Sequence, residues 1–474
     1  MTAQATTEPE KRPLKDDLRD LVKSPRELWL ILMTKFLEYV GIFSLLYVLT
    51  LWLSKDLGMN DIQAGYWAGL FSLLCSIFAF FIGFIADSIG FRIALISAFA
   101  LSVVGRGAMS VARGPGLALT GLMVLAVGVA AGTPSMNAAL RRYSNARTRS
   151  FAFSLYYLSF NIGGAVAGFL VDWARERFQD PVTKEQVFRT VHLPLFGDRS
   201  MSAYGVVFLV GTGCSFAALI VSLMLRKNVE VEPDVATVPG QAPAPVEESR
   251  VNKSPWGIAS ELMREKAFWR FMLFVALLSL VKLIFQHYNF TWPKWVLREM
   301  GESFPMGKMQ SINPIIIIVL VPIATALTRH RSAFNCIILG SLISTVSMFV
   351  LCLPASYPVI LASIIFLSIG EALWSPRLYE YTAAIAPKGR EASYMGLSVM
   401  PYFLAKMIAG PMSGYLLTKY VPEHGPRHAW IMWLIIGLMT LAGPIAILAL
   451  RSVIEGKREP KPLAKGETPS EAAA

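Results

Sequence analysis

Twelve apolar stretches, each long enough to cross a lipid bilayer as a helix, run through this chain. They lie near 28–53, 63–86, 92–112, 117–140, 150–173, 203–226, 267–291, 309–328, 333–353, 357–379, 392–418 and 429–450. A helix rises about 1.5 Å per residue, so roughly 20 residues span a hydrocarbon layer of ~30 Å. Backbone amides and carbonyls find no water in lipid, so each stretch must satisfy them internally, as a helix. The pattern predicts an all-α membrane protein of twelve transmembrane helices and excludes a soluble globular one. Composition agrees: only 16% of the residues are charged, against about 25% in soluble domains.

The formal charge of +12 would suit a nucleic-acid surface, but the basic residues sit between the apolar runs. With both termini in the cytoplasm, 27 of the 44 Lys and Arg residues fall on the cytoplasmic side, 12 outside and 5 within spans. That bias follows the positive-inside rule and predicts an inner-membrane protein with both ends cytoplasmic, partnered by lipid rather than nucleic acid. The first 25 residues lack the apolar centre of a signal peptide. Cys75, Cys214, Cys336 and Cys352 lie inside spans without metal-ligand spacing. No Walker-type phosphate loop occurs, and the run Gly211–Phe216 lacks the third glycine of a dinucleotide fingerprint. The expectation is no enzyme, no catalytic residue, no cofactor and no metal.

The spans group as six plus six. Residues 1–25 form a cytoplasmic segment, 26–226 an N-terminal bundle, 267–451 a C-terminal bundle and 452–474 a cytoplasmic tail. Between the bundles, 227–266 carries Pro233, Pro239, Pro243, Pro245 and Pro255, a linker composition, and ends in a short amphipathic helix over 256–268. The halves echo each other. Thr133-Pro134 in span four returns as Ser375-Pro376 in span ten, 242 residues on, and Gly164/Gly168 in span five as Gly410/Gly414 in span eleven, 246 residues on. A duplicated six-helix unit is the plan of many secondary transporters.

After span two the chain reads Gly83-Phe-Ile-Ala-Asp87-Ser-Ile-Gly90-Phe-Arg92. This resembles the G-x-x-x-D-x-x-G-x-[KR] loop of the major facilitator superfamily, and the resemblance implies a conformational latch at Gly83, Asp87, Gly90 and Arg92. Span five contains Phe153, Tyr157, Asn161 and Gly163 in an F-x-x-x-Y-x-x-x-N-x-G pattern, and span ten contains Gly370-Glu371-Ala-Leu-Trp374-Ser-Pro376. Both resemble, at a distance, the proton-dependent oligopeptide transporter family. In its first helix that family has E-x-x-E-[RK]-F; here the stretch is Ile31-Leu-Met-Thr34-Lys35-Phe36, which keeps only the cation. Its fourth-helix lysine corresponds to Thr133, and the linker adds no helices between the halves.

A charge at the bilayer centre costs about 2.5–3.5 kcal/mol on insertion scales, so ionisable residues there usually face a wet cavity. Lys35 and Glu38 in span one, Arg106 in span three, Lys282 in span seven, Glu371 in span ten and Lys406 in span eleven are such residues. Four cations against two carboxylates would favour a carboxylate-bearing solute. Lys35 and Glu38, nearly one turn apart, are spaced for an intrahelical ion pair. Tyr39, Tyr157, Asn161, Gln286 and Trp374 complete the candidate site; Tyr47, Tyr156, Trp292 and Trp295 are further aromatic wall candidates, and His287 a candidate proton carrier. The resemblance implies a monomer that moves a small peptide-like solute, a symporter if protons couple, with Glu371 meeting a cationic group and Lys35 or Arg106 a carboxylate. A drug or metabolite efflux antiporter of the same fold is the alternative.

Overall fold

The computed structural model describes residues 22–144, 148–193, 197–226, 264–385 and 400–455, with only the backbone given over 80–88 and at 149–150, 193, 267, 379, 383–385, 400–402, 404 and 455. Twelve long helices dominate, from 18 to 30 residues each. In chain order they are α1 (Arg26–Lys55), α2 (Asp61–Ile89), α3 (Phe91–Val111), α4 (Pro115–Arg142), α5 (Arg149–Arg177), α6 (Ala203–Leu223), α7 (Lys266–Phe290), then, after a nine-residue α8 (Trp292–Met300), α9 (Met306–Leu327), α10 (Ala333–Val350), α11 (Tyr357–Ile385), α12 (Met400–Tyr420) and α13 (Ala429–Ala449). A five-residue α14 (Arg451–Glu455) follows.

The expected spans are therefore present among the described residues, and the segments between and beside them differ in four places. The connection 174–202 holds an antiparallel hairpin, β1 (Arg189–Leu193) on β2 (Gly197–Met201). Span seven ends at Thr291 as expected, but a separate helix, α8, follows it from Trp292. Lys266–Phe268, expected in the interfacial helix, instead open α7, and 452–455, expected in the tail, are helical together with Arg451. Linker residues 227–263 with most of the interfacial helix, residues 392–399 of span eleven, residues 1–21 and the tail from 456 lie outside the described residues.

Hydroxyls inside the helices bond back to carbonyls one turn earlier, as Thr34 does to Leu30 (2.8 Å), Ser76 to Ser72 (3.1 Å) and Thr345 to Ser341 (3.0 Å). That removes the cost of an unpaired donor in an apolar layer. In the N-terminal bundle α1 packs on α5 and α6, α3 on α4 and α6, and α2 on α4; in the C-terminal bundle α10 packs on α11 and α13, α9 on α11, and α7 on α12 and α13. The bundles meet along two principal seams, α2 against α12 and α5 against α9.

Both seams are glycine contacts, because in lipid helices associate by close packing rather than by hydrophobic drive. A Cβ on Gly65 would come within 2.8 Å of the Gly414 nitrogen, and one on Gly69 within 2.9 Å of the Gly410 Cα. On the other seam a Cβ on Gly168 would overlap the Gly307 carbonyl. The repeated glycine pairs of the sequence, Gly164/Gly168 and Gly410/Gly414, thus occupy matching positions, one pair on each seam.

Candidate functional site

At the end of the molecule that carries the hairpin, the two bundles are tied by charges. Lys294 and Arg298 of α8 each approach Asp61, the first residue of α2, at 2.8 Å. Arg298 also meets Glu423 at 3.0 Å. Asp172 of α5 accepts from the backbone amides of Gly307 (2.9 Å) and Lys308 (2.8 Å) at the start of α9, where an anion suits both the free amides and the helix dipole. Arg175 donates to the Phe304 and Glu302 carbonyls, and Lys308 pairs with Glu176 at 2.7 Å. Lys55 reaches Glu302, and Asp56 accepts from Ser202, the N-cap of α6. At the opposite end the bonds among the described residues stay within one bundle: Arg92 to the Leu223 carbonyl, Arg226 to Glu27, and Arg377 to Glu380 and Thr328. The hairpin end is closed.

Asp56 borders a pocket of about 250 Å³ with Lys55, Glu185, Ser202, Tyr204 and Glu302. Burial pushes its carboxyl up to about 6, against the Ser202 hydrogen bond and the Lys55 charge, which pull the other way. A carboxyl raised from its ordinary value near 3.8 contributes stability that is fully present below about pH 4 and lost as pH rises through about 6. Asp56→Asn is therefore expected to flatten the pH dependence of the melting temperature between pH 4 and 6 without lowering it at pH 7. An unchanged pH profile in the variant would remove Asp56 from this role.

Between the two ends lie the ionisable residues of the spans, and the structure sorts them into pairs the sequence did not. Glu38, 2% exposed, is bound not to Lys35 but to Arg106, 1% exposed, through two bonds of 3.1 and 3.2 Å. Arg106 also donates to Ser215. Its guanidinium fits against Gly41 and its stem against Gly211, where Cβ atoms would come within 2.8 and 3.3 Å. The pair thus joins α1, α3 and α6 inside one bundle.

Lys35, released from Glu38, lies over the rings of Tyr39 (4.0 Å) and Tyr156 (3.9 Å), with Phe160 at 5.8 Å. Tyr157, 37% exposed, stacks on Phe160, and buried Asn161 donates to the Tyr157 carbonyl at 3.0 Å. Gly164 adjoins this cluster, wedged between Phe43 and Pro314 of α9. The residue before that proline, Asn313, donates to Glu371 at 3.1 Å and to Ser368 at 3.0 Å. Lys282 lies 4.1 Å over the Trp374 ring and within electrostatic reach of Glu371; the Trp374 indole donates to Ser344. Gln286 is buried on α7. Lys406 of α12 sits on the other seam and donates to Ser76 of α2 at 3.2 Å.

Lys35, Tyr39, Tyr157 and Asn161 thus form one group on the N-terminal bundle, with Lys282, Glu371 and Trp374 a second on the C-terminal bundle. Glu38 and Arg106 form a third, and Lys406 stands apart. Tyr47 and Tyr288 lie toward the hairpin end, with Tyr47 donating to the Gly164 carbonyl at 3.4 Å. Trp292 and Trp295 are packing residues there rather than wall, fully buried against Tyr288, Phe304 and Trp433. His287 is enclosed and bonds Thr291, which donates to Ser413 of α12. Gly90 takes φ +87° where α2 gives way to α3, and Arg92 bonds the end of α6; the side chains of the latch at 83 and 87 lie outside the described residues. Sequence reading missed Ser215 and Asn313, and placed Tyr156 only among the aromatic wall candidates. Asn313, a lone amide before a proline in an isoleucine-rich run, offered a signal; Ser215 offered none.

Two bundles of six helices, closed at one end and lined inside by split pairs of charges, define a membrane transporter of the alternating-access kind, and not an enzyme fold. The profile of the Major Facilitator Superfamily matches residues 31–400. The chain belongs to that superfamily. Multidrug resistance protein MdtH of Edwardsiella ictaluri is 22% identical over 87% of this chain and 92% of its own. An uncharacterized MFS-type transporter of Bacillus subtilis, YttB, is 28% identical over 28% of this chain and 33% of its own length. Among solved structures, a POT family transporter in complex with 5-aminolevulinic acid superposes with a TM-score of 0.72 at 16% identity, over 91% of this chain and 97% of the other. A peptide transporter POT mutant in complex with alafosfalin gives 0.68 at 18% identity, over 93% and 98%.

Proposed function

We propose that this protein is a secondary transporter that carries a small peptide-like, carboxylate-bearing solute across the inner membrane, with both termini cytoplasmic and the hairpin end outside. The observation that carries the reading is the division of charge: an ammonium, Lys35, in an aromatic cage on one bundle, and a carboxylate, Glu371, presented by Asn313 on the other. A zwitterion bound between them would draw both bundles onto itself. Because Arg106 is held by Glu38, Lys35 takes the solute carboxylate and Glu371 the amino group. Tyr39, Tyr157, Asn161, Gln286 and Trp374 supply the wall. The binding of 5-aminolevulinic acid and alafosfalin by structurally similar transporters, both small amino-bearing acids, supports this class. The segment Gly83–Arg92, which runs from the end of α2 through Gly90 into α3, serves as the latch of the rocking motion, and the protein acts as a monomer.

With the carboxylates of the first helix replaced by Ile31 and Thr34, Glu371 is the membrane acid best placed to couple protons. Glu371→Gln is expected to abolish proton-driven uptake of a dipeptide into proteoliposomes and to leave the melting temperature within a few degrees. Undiminished uptake would remove Glu371 from the site. The likeness to a multidrug resistance protein along nearly its whole length favours a second reading, efflux. Transport assayed in vesicles of both orientations distinguishes the two.

A further inference from the structure

Closure of the hairpin end gathers three carboxylates around one ammonium. The pocket there is lined by Asp56, Glu185 and Glu302 and by Lys55. Glu302 lies in the turn between α8 and α9 of the C-terminal bundle; the other three belong to the N-terminal bundle. Lys55, the last residue of α1, crosses to Glu302, and Arg175 of α5 lies 3.7 Å from the same carboxylate. Glu302 is thus met by two cations. Asp56, the C-cap of α1, accepts instead from the Ser202 hydroxyl, and among the described residues no cation lies within ion-pair distance of it. Ser202 is the N-cap of α6 and accepts from the Gly205 amide at 2.9 Å, so its single proton is turned to Asp56 Oδ2. Oδ1 is the oxygen that Ser202 leaves over. The groups that share the pocket with Asp56 are Lys55 from α1, Ser202 and Tyr204 from the start of α6, Glu185 from the loop before the hairpin and Glu302 from the other bundle, with Arg175 behind Glu302. Asp56 is beside Lys55 in the chain and moves with it. Glu302 meets Lys55 when the bundles close.

We infer that Asp56 is a proton-binding lock on the outer gate: ionised, it competes with Glu302 for Lys55 and lets the bundles part, and protonated, it yields Lys55 to Glu302 and keeps them shut. Closing takes a proton from the outer solution onto Oδ1, and opening returns it. The chemistry is that of carboxylates crowded into one site, where one of them gives up its charge. Asp56 is the one that does so, because Glu302 has two cations to itself. The sign follows. Burial pushes the Asp56 carboxyl from 3.8 up to about 6 when the end is shut, so the closed state binds the proton more tightly and acid favours it. Those two values shift the ratio of closed to open about tenfold between pH 7 and pH 5. The inference uses the transporter reading and the outer placement of the hairpin end; the nature of the solute does not enter. Asp56 stays at the outer end, so it sets the gate and leaves proton coupling to the membrane acid, Glu371. Acid outside turns the carrier inward.

The test measures the spacing of the bundles directly. Thr183→Cys and His424→Cys, at exposed positions of the hairpin end on opposite bundles, carry nitroxide labels in a full-length chain whose four native cysteines are replaced by alanine. Pulsed electron resonance in lipid then reads the short and long spacings at pH 5 and pH 7. The short spacing should gain on the long one about tenfold at pH 5. Asp56→Asn, which carries no charge at either pH, should hold the short spacing at both. Glu302→Gln removes the carboxylate that competes for Lys55 and should shrink the response. Glu371→Gln should leave it intact, which separates the outer lock from the interior acid. Spacings that ignore pH in the chain with Asp56 overturn the inference and leave the transporter reading standing. A full response in Asp56→Asn, shown folded by its melting profile, also overturns it, as does a response that vanishes in Glu371→Gln.

Discussion

Replacement of Arg106 by glutamine is expected to cost this protein about 3–5 kcal/mol of stability, the usual penalty for stripping one partner from a buried ion pair. The size follows from the setting. Glu38 is 2% exposed and spends both carboxylate oxygens on the guanidinium, so Arg106→Gln strands a buried carboxylate. The pocket is also shaped to the arginine: Gly41 and Gly211 leave room for its plane and stem, and a shorter side chain would open a void between α1, α3 and α6. A double variant, Glu38→Gln with Arg106→Gln, removes both charges and should recover much of the loss, because a well-filled neutral pair is often as stable as a buried ionic one. Thermal unfolding of the purified protein in detergent measures all three. If Arg106→Gln melts with the unmodified protein but loses solute binding, the residue faces the cargo instead.

That outcome separates what the sequence makes legible from what it hides. Hydropathy is a property of long runs, so the spans, the two bundles and the grouping of charges at membrane depth follow from the chain alone. The glycine repeat was legible for the same reason: two similar offsets betray duplication, and the glycines do lie on the two seams. Pairing is different. Lys35 and Glu38 have the spacing of an intrahelical pair, yet Glu38 goes to an arginine 68 residues away, because a planar guanidinium can engage both carboxylate oxygens and an ammonium cannot. Only the packing of α3 against α6, with Ser215 at hand, makes that choice. The ties at the hairpin end were invisible likewise. Asp172 looks like an ordinary charge near a helix end, and its role appears once the first amides of α9 are seen to point at it.

The seam at α5 and α9 should tolerate even less. Gly168→Ala adds one methyl group at a point where a Cβ would overlap the Gly307 carbonyl and the Ser311 hydroxyl. Both obstacles belong to the partner helix near its start, and a carbonyl cannot rotate aside as the end of a long side chain can. The helices must separate, which costs about 1–3 kcal/mol for overpacking alone. Separation also pulls the Gly307 and Lys308 amides from Asp172, one turn further along α5, and hydrogen bonds to a charged group are worth about 1.5–3 kcal/mol each. These losses fall on the conformation in which the hairpin end is shut. A shift of about 3 kcal/mol against that state lowers its population relative to the other by roughly a hundredfold, so transport should nearly stop while the bundles themselves stay folded. Cysteines in place of Glu176 and Lys308, which face each other across this seam as an exposed ion pair, report the closed state by cross-linking; the yield should collapse in Gly168→Ala. Gly107→Ala is the control, since its Cβ would find nothing nearer than the Thr212 methyl at 3.8 Å, and it should cross-link and transport normally. Retained cross-linking in Gly168→Ala would mean that α5 and α9 can close without the glycine contact, and that the hairpin-end ion pairs suffice to hold the gate.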